Sequence, residues 1–155
     1  MKDLHSNVSV VAAILPKTYS TGITGTVDID LVDHNSCELE ITYGAPGDTL
    51  SAAVDFDTDL EHADDTGAGV HDTFADVVQA DVLGCTLATG AIINHVQADV
   101  DASQVYRIGY VGGKRFLKVG VTANGTHTNG TIIGVNVIKG HPLDAPVADT
   151  VPTLP

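Results

Sequence analysis

Asp55-x-Asp57-x-Asp59 is the first spacing in this chain that could do chemistry, because alternate carboxylates supply the leading oxygen ligands of a calcium loop. An EF-hand that begins at Asp55 needs glycine at position 60 and glutamate at position 66. The chain has Leu60 and Thr66 there, so the motif fails. The acids alternate with Val54, Phe56, Thr58 and Leu60, which fits the wet face of a strand, and a looser divalent site at Asp64, Asp65 and a neighbouring loop is the remaining option. Seven histidines (5, 34, 62, 71, 95, 127 and 141) show no short paired spacing of the zinc kind. Cys37 and Cys85 stand too far apart to add a zinc pattern, and they read as two reduced, buried thiols rather than a disulfide. No G-x-S-x-G elbow marks a nucleophile. Gly113-Lys114 resembles the end of a phosphate loop, but Ile108 and Arg115 occupy the positions where a glycine and a Ser or Thr belong. Asn7-Val8-Ser9, Asn124-Gly125-Thr126 and Asn129-Gly130-Thr131 match the glycosylation sequon, and without a secretory signal they read as chance. The expectation is a chain with no catalytic group, no cofactor and no metal.

The basic residues are more unevenly placed. Arg107, Lys114, Arg115 and Lys118 are four of only seven lysines and arginines, all within one stretch of QVYRIGYVGGKRFLKVGVTA, residues 104–123. Read as a hairpin about Gly112-Gly113, this stretch opposes Tyr110 to Arg115, Ile108 to Leu117 and Tyr106 to Val119 on one face. Gly109 then faces Phe116, and Arg107 faces Lys118, on the other. Two readings of the cations stand side by side. One is a solvated hairpin with Arg115 stacked on Tyr110. The other is a basic stripe that docks on an acidic protein surface.

Composition decides what kind of scaffold must position these groups. The chain has 155 residues with a formal charge of −13, a length that suits one domain with a core of its own. Valine, threonine, alanine and glycine dominate, tryptophan is absent and there are only three glutamates, a balance that favours strands and turns over helices. The acidity argues against a general nucleic-acid binder. No apolar run reaches the length of a membrane helix, and MKDLHSNVSV lacks the apolar core of a signal peptide. A soluble protein made in a cytoplasm is expected.

Strands are predicted over residues 6–15, closed by Pro16, and over 26–32, 37–43, 50–62, 91–100, the two arms of the hairpin, and 131–139. Residues 70–83 fit a strand, an irregular stretch or one short helix. From His141 onward the chain holds four of its six prolines and no periodicity. The predicted organisation is an all-β antiparallel β-sandwich, a jelly roll of 8–9 strands over residues 1–140, followed by an extended Pro-rich tail over 141–155.

Several strings taken together carry a resemblance: LEITYGAPGDTLSAAVDF, DLEHADDTG, YRIGYVGGKRFLKV and VIKGHPLDAPV. Over roughly residues 37–147 the chain resembles a family of small virion structural proteins from tailed bacteriophages and related prophage elements. It departs from that pattern after the Asp-Asp turn, where Thr66-Gly67-Ala68-Gly69-Val70 replaces a Thr-x-Trp-like strand start. The resemblance implies a decoration or cement protein that binds the major capsid protein on the exterior of an assembled shell, often as a trimer. No nucleic-acid or membrane partner is expected, from the acidity and the absence of a long apolar run. The alternatives are a carbohydrate-binding or host-adhesion sandwich displayed on the particle, against which the absent Trp weighs, and a head–tail joint or tail component.

Overall fold

The computed structural model describes residues 3–25 and 28–147. They form two antiparallel sheets with three short 3-10 turns and, among the described residues, no α-helix. The eleven strands are β1 (Val8–Tyr19), β2 (Ile23–Thr24), β3 (Ile29–Asp30), β4 (His34–Pro46), β5 (Asp55–Ala63), β6 (Ala75–Asp76), β7 (Val82–Leu83), β8 (Ile92–Val96), β9 (Gln104–Tyr110), β10 (Phe116–Asn124) and β11 (Thr131–Pro142).

One sheet has the order β1-β11-β4-β9-β7, and the other runs β2-β10-β5-β6, with β3 added to β10 and β8 added to β5. Short β2 and β3 lie along the same partner, β10, and β6 and β8 along the same partner, β5. Each pair therefore does the work of one interrupted strand, and β7 only extends the edge beside β9. What remains is eight strands in two four-stranded sheets, with first, eighth, third and sixth in one and second, seventh, fourth and fifth in the other. That is jelly-roll connectivity.

Period-two patterning sets the inner faces. Cys37, Leu39, Ile41 and Tyr43 of β4 meet Phe56, Thr58 and Leu60 of β5, with Leu117, Val119, Val121, Ile133, Val135 and Val137 completing the core. Nearly all of these side chains are fully buried, and each large one contributes about 1.5–3 kcal/mol of transfer free energy. Tyr43 Oη and Thr58 Oγ1 join the sheets through a 2.6 Å hydrogen bond.

Several expectations need correction. The stretch 104–123 is not a hairpin: β9 pairs with β4, and β10 pairs with β5 in the opposite sheet. Gly112 and Gly113 do not take the positive φ a tight two-residue turn requires, so residues 111–115 cross from one sheet to the other instead. Ile108 consequently opposes Leu39, and Leu117 opposes His62. Gly109 is covered by Leu83 rather than Phe116.

Pro16 does not close β1. That strand is an edge with register shifts on either side of Ile14, where a missing N–H costs no ladder bond. Of the strand expected over 26–32, Ile29–Asp30 forms, while Thr26 and Val27 lie outside the described residues. Residues 70–83 hold only two-residue strands and a 3-10 turn at Gln79–Asp81. β8 stops at Val96, and a 3-10 turn occupies Asp99–Asp101. β11 runs past residue 140 to Pro142. Beyond it Leu143 N donates to Asp33 O and Val147 N to Ser6 O, so the start of the expected tail is tied to the sandwich. Residues 148–155 of that tail lie outside the described residues.

Candidate functional site

The four clustered cations are divided between the sheets, and each holds an acid. Arg107 projects from β9 on the outer face of the five-stranded sheet and bonds Glu38 of β4, one register step from its cross-strand neighbour Glu40. Lys118 of β10 lies 3.3 Å from Glu61, its direct partner on β5, on the outer face of the other sheet. Lys114 bonds Asp64. Arg115 grips both oxygens of Asp30, Nε to Oδ1 at 2.8 Å and Nη2 to Oδ2 at 2.7 Å, and also reaches Asp65. Hydrogen bonding to Arg115 is the main reason the Asp30 carboxyl is held below its ordinary range. Arg115 stacks on Phe116, not Tyr110.

The expected stripe is therefore absent as geometry, because a crossover separates Arg107 from Lys118. Arg107 is the one of the four that stays broadly open, at 75% side-chain exposure. Asp64 and Asp65, the sequence option for a divalent site, serve instead as the partners of Lys114 and Arg115.

Around Arg107 the outer face of the five-stranded sheet is studded with apolar side chains. Val10, Ile138, Glu38, Gly109 and Leu83 form one row across five strands by direct pairing, and Val105 stands beside Thr42 two steps along. Val10, Leu83, Val105 and Ile132 are exposed. Two open grooves of about 650 and 700 Å³ flank Glu38 at one end of this sheet.

The groups near those grooves are poorly arranged for nucleophilic chemistry. Burial pushes the Cys37 thiol up to about 12, which disfavours the thiolate. Ser36 Oγ lies 2.8 Å from His141 Nδ1, yet among the described residues no carboxylate orients the ring from its other side. The two cysteines are unpaired, Cys37 buried in β4 and Cys85 half-buried beyond β7.

The outer face of the six-stranded sheet carries the acidic row, and it is drier than a wet strand face. Asp55 is only 4% exposed, while Asp57, Asp59 and Glu61 are half-buried. Asp59 sits over Gly120, where a Cβ would come within 2.6 Å of its carboxylate oxygens, and burial raises its pKa. Asp55 and Asp57 meet His95, which directly opposes Asp57 on β8, and Asn124, which directly opposes Asp55 on β10. Sequence reasoning missed this grouping. Asp57 and His95 are distant in the chain, and only the β5–β8 register brings them together.

Comparison of the chain with known protein families, with curated proteins and with solved structures finds no match.

Proposed function

We propose that this chain is a non-enzymatic structural protein of a tailed-phage virion, which binds the assembled capsid shell as a decoration or cement protein and stabilises it. The observation that carries the reading is the outer face of the five-stranded sheet, where Val10, Leu83, Val105 and Ile132 stand exposed on the same side as the Glu38–Arg107 pair. An apolar surface broken by a few charges suits a partner interface better than bulk solvent. Strings that carry the phage resemblance supply parts of three strands of this sheet: residues 39–46 of β4, 106–110 of β9 and 137–142 of β11.

Docking is to the major capsid protein on the shell exterior, with a homotrimer as the assembling unit. Stabilisation of the expanded shell is then ordinary linkage, since a ligand of only the assembled lattice favours that lattice. A glycan-adhesion role draws less support. Tyr19, Tyr43, Tyr110, Phe56 and Phe116 are buried, and Tyr106 and Phe74 half-buried, so the described residues offer no open aromatic platform.

Rebinding to shells stripped of the protein tests the proposal. Arg107→Glu is expected to weaken rebinding at least tenfold, and Lys118→Glu, on the far sheet, to leave it unchanged. Stripped shells are expected to lose heat resistance, which the wild-type chain restores. Shells equally heat-resistant with and without the protein would overturn the cement role.

A further inference from the structure

We propose that Asp55, Asp57 and His95 form a binding site for one divalent first-row transition ion on the outer face of the six-stranded sheet, with Asn124 as the residue that positions both carboxylates. A ligand atom from each of the three lies within 4.8 Å of the others. All four residues stand on strands, β5, β8 and β10, so ladder hydrogen bonds rather than loops hold the site. A register shift between Thr58 and Asp59 falls just beyond the Asp57–His95 pair, a place where bulges re-aim side chains.

The Asn124 amide donates to Asp55 Oδ1 at 2.6 Å and to Asp57 Oδ2 at 2.8 Å. This pair of hydrogen bonds from one amide clamps the carboxylates side by side and leaves Asp55 Oδ2 and Asp57 Oδ1 turned toward the imidazole. They lie 3.7 Å from His95 Nε2 and 3.6 Å from Nδ1 respectively. Both separations exceed the 2.7–3.2 Å of an N–H···O hydrogen bond. One ion takes only one of the two ring nitrogens, and whichever it takes, that nitrogen's separation from its facing carboxylate is close to the edge of a ligand tetrahedron, roughly 3.4 Å for metal bonds of about 2.1 Å.

Two independent observations favour a cation at this position. Asp57 Oδ1 is buried and has no hydrogen-bond partner. Asp55 is almost wholly buried, yet its ion-pair contact among the described residues is His95 and no lysine or arginine. Elsewhere in the same row Glu61 has Lys118. A bound ion would satisfy the orphaned oxygen and neutralise the paired carboxylates. His95, 41% exposed, opens the remaining coordination positions to solvent. With one imidazole nitrogen and two carboxylates the donor set suits zinc or manganese, whereas calcium asks for six to eight oxygens.

Titration of the EDTA-treated full chain with Zn²⁺, followed by calorimetry and by thermal melting, tests the site. One tight equivalent and a Zn²⁺-dependent rise in Tm are expected, with Ca²⁺ much weaker. His95→Ala, at a solvent-open ring, and Asp57→Asn are each expected to remove that equivalent. Asn124→Ala should weaken it about 10–100-fold, as loss of an orienting partner does. His71→Ala, away from the site, should change nothing. If Asp57→Asn melts early without metal, His95→Ala alone decides. Absence of a Zn²⁺-dependent heat and Tm shift, or full affinity retained in His95→Ala, would overturn the site.

Discussion

Tyr43 and Thr58 meet between the sheets at 2.6 Å, and both are buried, so each hydroxyl has exchanged water for the other. Tyr43→Phe leaves the Thr58 hydroxyl without this partner and is expected to cost about 1–3 kcal/mol in denaturant unfolding. Thr58→Val in the Tyr43→Phe background should recover much of that loss, because no orphaned hydroxyl remains. A double mutant less stable than both single mutants would show that the bond is not what matters.

Arg115 and Asp30 give a pH signature. The guanidinium holds the Asp30 carboxyl below its ordinary value of 3.8, so the pair stabilises the fold fully above that value and loses its effect as pH falls through the depressed one. Arg115→Gln is expected to lower Tm at neutral pH and to flatten the acid limb of a Tm profile taken down to about pH 2. An unchanged acid limb would show that Asp30 is not tied to stability through Arg115. The alternation of β5 placed its acids on the outer face in the sequence, and they are there. That Asp55 would be buried was not legible, because its cover comes from neighbouring strands rather than from its own.

At the scale of elements, the decisive misreading concerns residues 104–123. Two alternating runs separated by Gly-Gly match a local hairpin, and a local pairing is the cheapest for a sequence to signal. The chain instead spends those residues on the step between sheets, and each run pairs with a strand dozens of residues away. The jelly-roll reading itself contains this step, since its sixth and seventh strands belong to opposite sheets; the fold expectation was right and the hairpin inconsistent with it. Two neighbouring substitutions report on the crossover. A Cβ at Gly112 would stand 2.5 Å from Tyr110 Oη, whereas at Gly113 nothing lies within 4 Å. Gly112→Ala is therefore expected to lower Tm as it displaces a ring bonded to His62 Nδ1 and Lys114 N, and Gly113→Ala to be tolerated. Equal effects would argue against the crossover geometry. NMR contacts between the Arg107 and Glu40 backbones, with none between Arg107 and Lys118, would test it directly.

At the scale of the whole molecule, the two outer faces differ in kind. One carries exposed apolar side chains around Glu38, Glu40 and Arg107, and the other is acidic, with Lys118 on the inner strand β10 and His95 on β8. Val105→Lys together with Leu83→Lys should leave stability within about 0.5 kcal/mol, since both side chains are exposed, yet abolish shell rebinding. Rebinding that survives both changes would move the docking surface elsewhere. The strand class, the inward residues of β4 and β5 and the jelly-roll architecture were all legible from the chain, because period-two alternation and turn residues are local properties of adjacent positions. Partnership was not. Which strand lies beside which is a contest among long-range pairings, and it separated the basic residues, gave each an acid, and set His95 against Asp57. The Asp55–Asp57–His95–Asn124 grouping exists only in the cross-strand register, which no spacing along the chain encodes.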